Sequence, residues 1–126
     1  MDENAISYVI RGCAFKVHQI LGPGLFESVY EAALCHELLE SGLYVQSQIG
    51  IPMQYKGIRF EFGFRLDIIV NDLVVIEVKS VDRLMSVHHK QLLTYLRLLD
   101  KKLGMLINFN STSLDRTSMV RMVNNL

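Results

Sequence analysis

Phe64-Arg65-Leu66-Asp67-Ile68-Ile69-Val70-Asn71-Asp72-Leu73-Val74-Val75-Ile76-Glu77-Val78-Lys79 holds two runs of mostly branched apolar residues, parted by Asn71-Asp72. Such runs read as strands joined by a tight turn. Their near-continuous apolar character suits a sheet covered on both faces. Asp67, Glu77 and Lys79 interrupt the runs. Charges in a buried strand are costly unless paired or bound to a metal. Strand alternation puts Glu77 and Lys79 on one face and Val78 on the other. The place of Asp67 depends on the turn. A two-residue turn at Asn71-Asp72 pairs Val70 with Leu73 and sets Asp67 opposite Ile76. A three-residue connection, Asn71-Asp72-Leu73, pairs Val70 with Val74 and sets Asp67 opposite Glu77. One residue of slip decides whether the carboxylates meet. A hard-cation site requires the second register, so the hairpin is expected to have the odd connection.

Before this hairpin, Ile6, Val9, Cys13, Val17 and Ile20 recur at helical spacing, with Ser7 a possible cap. Gly22-Pro23-Gly24 ends that helix. A second helix is expected from about Leu25 to Leu39, with Val29, Tyr30, Ala33, Leu34 and Leu38 inward. Val45, Ser47 and Ile49 then alternate with Gln46 and Gln48 as a strand, and Lys56-Gly57 turns the chain into another at 58–62. After the hairpin, Ser86 can cap a helix from about Val87 to Leu103, with Leu92, Leu96, Leu99 and Leu103 in one stripe and Gly104 as its stop. Met105 to Phe109 reads as a strand, and residues 114–124 as a last short helix with Val120 and Val123 inward. Long helices around a hairpin-bearing sheet argue for an α/β or α+β sandwich.

With 126 residues, 50% of them hydrophobic, and 13 basic against 13 acidic side chains, the chain is long enough for a core and unlike a disordered one. It is expected to form one domain over residues 1–126. No window approaches a membrane span, and the acidic N-terminus lacks the basic start of a signal peptide. Cys13 and Cys35 are too few for a metal cluster and read as free thiols. A reduced, cytoplasmic protein is therefore expected. The zero net charge conceals an asymmetry. Residues 1–62 hold four basic and seven acidic side chains, whereas residues 79–102 hold six basic and two acidic. Lys90, Arg97 and Lys101 fall at helical steps and are expected to form one positive ridge. Such a ridge suits a phosphate backbone; its plainer reading is a solvated helix face. Three phosphate contacts make only weak binding at physiological salt, so a homodimer that doubles the ridge, or a partner protein, is the expected supplement.

Two carboxylates with a backbone carbonyl and waters suit Mg²⁺ or Mn²⁺. The ion would polarise a phosphodiester and acidify its bound water, while a lysine two residues on could orient that water or neutralise developing charge. The competing reading is a salt bridge from Lys79 to Glu77 or Asp67. Glu27 opens the second helix, where it would also complement the helix dipole. Gln91 and Tyr95 lie four apart and share a helix face, with His88 one turn earlier.

These residues resemble a family. Gly24-Leu25-Phe26-Glu27-Ser28-Val29-Tyr30 reads G-x-x-E-x-x-Y and resembles the signature of the small GxxExxY proteins, a branch of the PD-(D/E)XK nuclease superfamily. Gly63-x-x-x-Asp67, Glu77-Val78-Lys79 and Gln91-x-x-x-Tyr95 follow in order and look like the motifs of RecB-type exonuclease domains. The resemblance implies a restriction-endonuclease-like α-β-β-β-α-β core, with a mixed central sheet flanked by helices. It implies Asp67, Glu77, the Val78 carbonyl and Glu27 as Mg²⁺ or Mn²⁺ ligands and Lys79 as the catalytic lysine. Gln91 would position the metal water, and Tyr95, with His88 at the rim, would meet nucleic acid, DNA being the expected substrate. From a different functional class comes the alternative of a catalytically silent binding or assembly module that keeps the nuclease fold.

Overall fold

The computed structural model describes all 126 residues. Helix α1 (Glu3–Leu21) and helix α2 (Glu27–Glu40) precede strands β1 (Val45–Tyr55), β2 (Ile58–Val70) and β3 (Val74–Lys79). Helix α3 (Ser86–Leu99), β4 (Leu103–Asn108) and β5 (Met119–Val123) complete the chain. The strands form one sheet in the order β1-β2-β3-β4-β5. Only β3 and β4 are parallel, because the α3 crossover joins them; the other neighbours are antiparallel. The result is a mixed five-stranded α/β sheet with helices on both faces, a restriction-endonuclease-like architecture. None of the helices is long and apolar enough to cross a membrane.

Each face has its own core. On one, Ile6, Ile10, Ala14 and Val17 of α1 and Tyr30, Leu34 and Leu38 of α2 pack on Ile68, Val70, Val74, Ile76, Val78, Met105 and Ile107. On the other, Leu92 and Leu96 of α3 pack on Leu66, Ile69, Val75 and Leu106. Burial on both faces is what the apolar runs of β2 and β3 require.

Several boundaries differ from the sequence reading. Asp2, not Ser7, caps α1: its carboxylate accepts from the Ala5 amide at 2.8 Å. Ser7 is buried within the helix, and Ile20 is 70% exposed because the inward stripe ends at Val17. Val29 likewise faces out. Ser86 is the first residue of α3 rather than its cap, which is Met85. That helix ends at Leu99, where Asp100 takes a left-handed φ of 54°. Gly104 therefore stops nothing. It lies inside β4 beneath Leu92, where an added Cβ would come within 3.0 Å of that side chain. The two strands expected at 58–62 and 64–70 are one, bent by a register shift opposite Ile51–Met53. Residues 119–123 are a strand, not a helix, because β4 offers them an open edge to pair with.

Candidate active site

Val70 pairs with Val74, Ile69 with Val75 and Ile68 with Ile76, which is the odd connection. Asn71 and Asp72 both take left-handed φ values, 51° and 54°, which these two residue types tolerate. The Leu73 amide closes the turn on the Val70 carbonyl at 3.0 Å. In this register Asp67 falls opposite Glu77, but the β2–β3 ladder ends one step earlier, at Ile68–Ile76.

Where the ladder ends, the strands change face. Ile68 and Val70 belong to the α1–α2 core, yet Leu66 belongs to the α3 core. The same reversal occurs in β1, with Val45 against the α1–α2 core and Ile49 and Ile51 against the other. Asp67 and Gln48 mark the reversal, and the β1–β2 pairing skips both. Gln48 takes a φ of 52°, a costly conformation for a residue with a side chain. Freed from strict alternation, Asp67 turns its carboxylate onto β3 and accepts from the Val78 amide at 2.9 Å. Main-chain N–H and C=O of one strand residue point the same way, so the Val78 carbonyl faces this opening too.

Glu77 lies beside Asp67, on the α3 face and 4% exposed. Its Oε1 is buried and has no hydrogen-bond partner. Burial, and then the adjacent Asp67 carboxylate, push the Glu77 carboxyl up to about 9, while Lys79 pulls it down. A buried acceptor left unpaired is rare and costly. Two adjoining carboxylates with a free buried oxygen form a place for positive charge, and a divalent cation fits it. Mg²⁺ commonly takes only one or two carboxylates and keeps several waters, a demand that Glu77 and Asp67 could meet with the Val78 carbonyl.

From α3, Tyr95 stacks on Phe64 with ring centroids 4.5 Å apart. Burial, then the Glu77 carboxylate, hold its phenol above the ordinary range, against a hydrogen bond from Gln91. Tyr95 thus lies near the carboxylates, with Gln91 beside it on the same face of α3. Lys90 and Arg97 are exposed on α3. Lys101 leaves the expected ridge, because the helix has already ended; its ammonium is 3.6 Å from Asp72. His88 is used to cap α3, its Nδ1 accepting from the Met85 amide at 2.9 Å.

Glu27 does not join a three-carboxylate cluster; no three His, Cys, Asp or Glu side chains lie close enough to hold a metal ion. Its carboxylate accepts from the Ser80 amide at 3.1 Å. It still lines, with Ser28, Glu31, Gln48, Arg65, Asp67 and Val78, a cavity of about 370 Å³. Glu31 was not anticipated, although it lies one helical turn from Glu27 on the same face. Its carboxylate accepts from Gln48 at 2.5 Å, and burial is the main cause that raises its pKa.

The Gly24-to-Tyr30 segment has a structural purpose as well. Tyr30 is fully buried and stacks on Phe109. Its hydroxyl donates to the Gly22 carbonyl at 2.6 Å and accepts from the Leu25 amide at 3.1 Å. Ser80 donates to the Leu25 carbonyl, and the Gly24 amide, at a φ of 103°, donates to Asn110. The loop before α2 is thereby tied to the ends of β3 and β4, which carries Glu27 to the site. Tyr30→Phe keeps the ring and removes both bonds, and is expected to cost about 1–3 kcal/mol in urea unfolding.

The family model of the PD-(D/E)XK nuclease superfamily matches residues 4–122. The chain belongs to the PD-(D/E)XK nuclease superfamily. No curated protein and no solved structure matches it. Asp67 lies on β2 and Glu77 and Lys79 on β3, the two strands that part at the opening.

Proposed function

We propose that this protein is a metal-dependent nuclease of the GxxExxY branch, a single domain acting in the cytoplasm, with DNA as its expected substrate. The observation that carries the reading is the buried, unpartnered Glu77 Oε1 beside Asp67. Without a metal ion Glu77 keeps a proton, and a bound cation would take that proton's place. Asp67, Glu77 and the Val78 carbonyl would hold Mg²⁺ or Mn²⁺. Glu27, on the wall of the same cavity as Asp67, would complete the shell by exchanging its Ser80 hydrogen bond. When bound, the ion supplies a polarised phosphoryl oxygen and a water acidic enough to attack near neutral pH.

The chain's own residues do the rest. The Lys79 ammonium shares the Glu77 face and would orient the attacking water or offset the charge gathering on the phosphoryl oxygens. Gln91 and Tyr95 present an amide and a phenol from α3 to hold that water and the strand backbone. His88, Lys90 and Arg97 on the same helix, with Lys101 beyond its end, provide cationic and hydrogen-bonding contacts for the flanking phosphates. Reversing Lys90 and Arg97 together to glutamate is expected to weaken DNA binding and lower the salt slope by about 2, measured by anisotropy across ionic strengths.

The test is incubation of labelled linear and circular DNA with Mn²⁺, beside calorimetric titration of the ion. Metal-dependent fragments, lost with EDTA, are the expected result. The absence of both ion binding and cleavage would favour the nuclease fold as a silent assembly module. That reading draws on the missing third carboxylate in the cluster.

A further inference from the structure

The cavity at Asp67 is one end of a longer groove. It shares Gln48 and Arg65 with a second cavity, of about 580 Å³, that continues along the β1–β2 arm to Gly50, Phe62 and Phe64. Phe62 is 82% exposed, an unusual setting for so large an apolar ring. It lies against the Gly50 backbone. The ring occupies the space a side chain at Gly50 would need, and a Cβ there would run into its Cδ1 and Cε1. Phe64 spends its face on Tyr95, whereas the outer face of Phe62 is bare.

Arg65 stands between Phe62 and the carboxylates. The ion pairs of the molecule are Lys16–Glu37, His36–Glu40, Arg59–Glu61 and Lys101–Asp72, so the Arg65 guanidinium is in none of them. The groove therefore offers, in order, an aromatic face, a guanidinium outside those ion pairs and, at the far end, the Asp67 carboxylate with Glu27 and Glu31 on the same wall. A nucleic acid strand with unstacked bases offers the complementary series of a base, a phosphate and the next phosphate along. Bases inside a duplex are stacked on one another and present no free face to a side chain, whereas those of a single strand do.

We infer that Phe62 is a stacking platform for an unpaired nucleobase, and that the groove takes single-stranded nucleic acid, its backbone passing Arg65 towards Asp67. The inference rests on the nuclease reading and narrows it to a substrate class.

The chain has no tryptophan, so Phe62→Trp installs a sole indole at the platform. In EDTA, where cleavage is not needed, a 12-nucleotide single-stranded DNA is expected to quench its emission, and a blunt duplex of the same sequence to leave it unchanged. An RNA strand of that sequence, run in parallel, shows which sugar the groove accepts; quenching by either supports the platform. Phe62→Ala is expected to weaken single-strand binding about tenfold, within the range of one base–aromatic stack, with duplex binding unaltered. Equal quenching by the duplex, no quenching by either single strand, or unchanged single-strand affinity in Phe62→Ala would overturn the inference. So would a dimer in sedimentation that Phe62→Ala dissolves, since the ring would then belong to an interface between copies. Metal-dependent cleavage with an indifferent Phe62 leaves the nuclease reading standing without the platform. Single-strand quenching without metal-dependent cleavage leaves the platform standing without the nuclease.

Discussion

Glu77→Gln is expected to make the metal-free protein more stable at alkaline pH while removing its metal binding. The sign follows from the carboxyl's two environments. Glu77 ionises near 4.5 in the unfolded chain and only near about 9 in the folded one. A raised folded pKa means the native state binds the extra proton. The associated stability is complete below the unfolded value and is lost as pH rises towards the folded one. Between those limits the slope approaches about −1.4 kcal/mol per pH unit. Glutamine has nearly the same shape and no proton to lose, so urea midpoints of the variant should be flat from pH 5 to 9 where those of the parent fall. Mn²⁺ should then raise the parent's midpoint and leave the variant's unmoved. A parent protein with no fall over this range would show that Glu77 is not buried beside Asp67.

Lys79→Ala should lower single-turnover cleavage by roughly 10²–10⁴-fold, the usual worth of a positioned proton-transfer group. Its substrate affinity in EDTA should change little, because one cation is a small part of a strand's contacts with α3 and the arm. The separation matters for the mechanism. A loss confined to the chemical step marks Lys79 as acting on the water or the transition state, whereas an equal loss of binding marks it as one more phosphate contact. Calorimetry should still detect Mn²⁺ in the variant, since Asp67, Glu77 and the Val78 carbonyl are untouched.

The parts of the site legible in the sequence are those set by local rules. Asn71-Asp72 can take left-handed angles, and that chemistry agrees with the only register that brings Asp67 opposite Glu77. Gln91 and Tyr95 share a face by helical spacing alone. What escaped was decided by distant partners. Val120 and Val123 suit a helix as well as a strand, and the open edge of β4 settles the matter. Gly104 looks like a helix stop, but its missing side chain admits Leu92. In sequence Gln48 is indistinguishable from an ordinary alternating strand residue. Its unusual backbone arises from pairing with a strand that reverses at Asp67, which no local pattern announces. Glu31 follows Glu27 by one helical turn, but it belongs to none of the motifs.

The paired reversal at Gln48 and Asp67 also governs which changes of length the hairpin can bear. Beyond Ile51 and Phe64 the arm is mostly exposed and ends in the Lys56-Gly57 turn. Residues could be added or removed there, in matched pairs, with nothing in either core obliged to move. Between Phe64 and Asp67 there is no such freedom. One residue inserted in β2 alone would carry Leu66 out of the α3 core, unless β1 gained a residue opposite it. The arm is thus a part whose reach can be tuned by insertion and deletion, attached to a segment where the number of residues is itself under constraint.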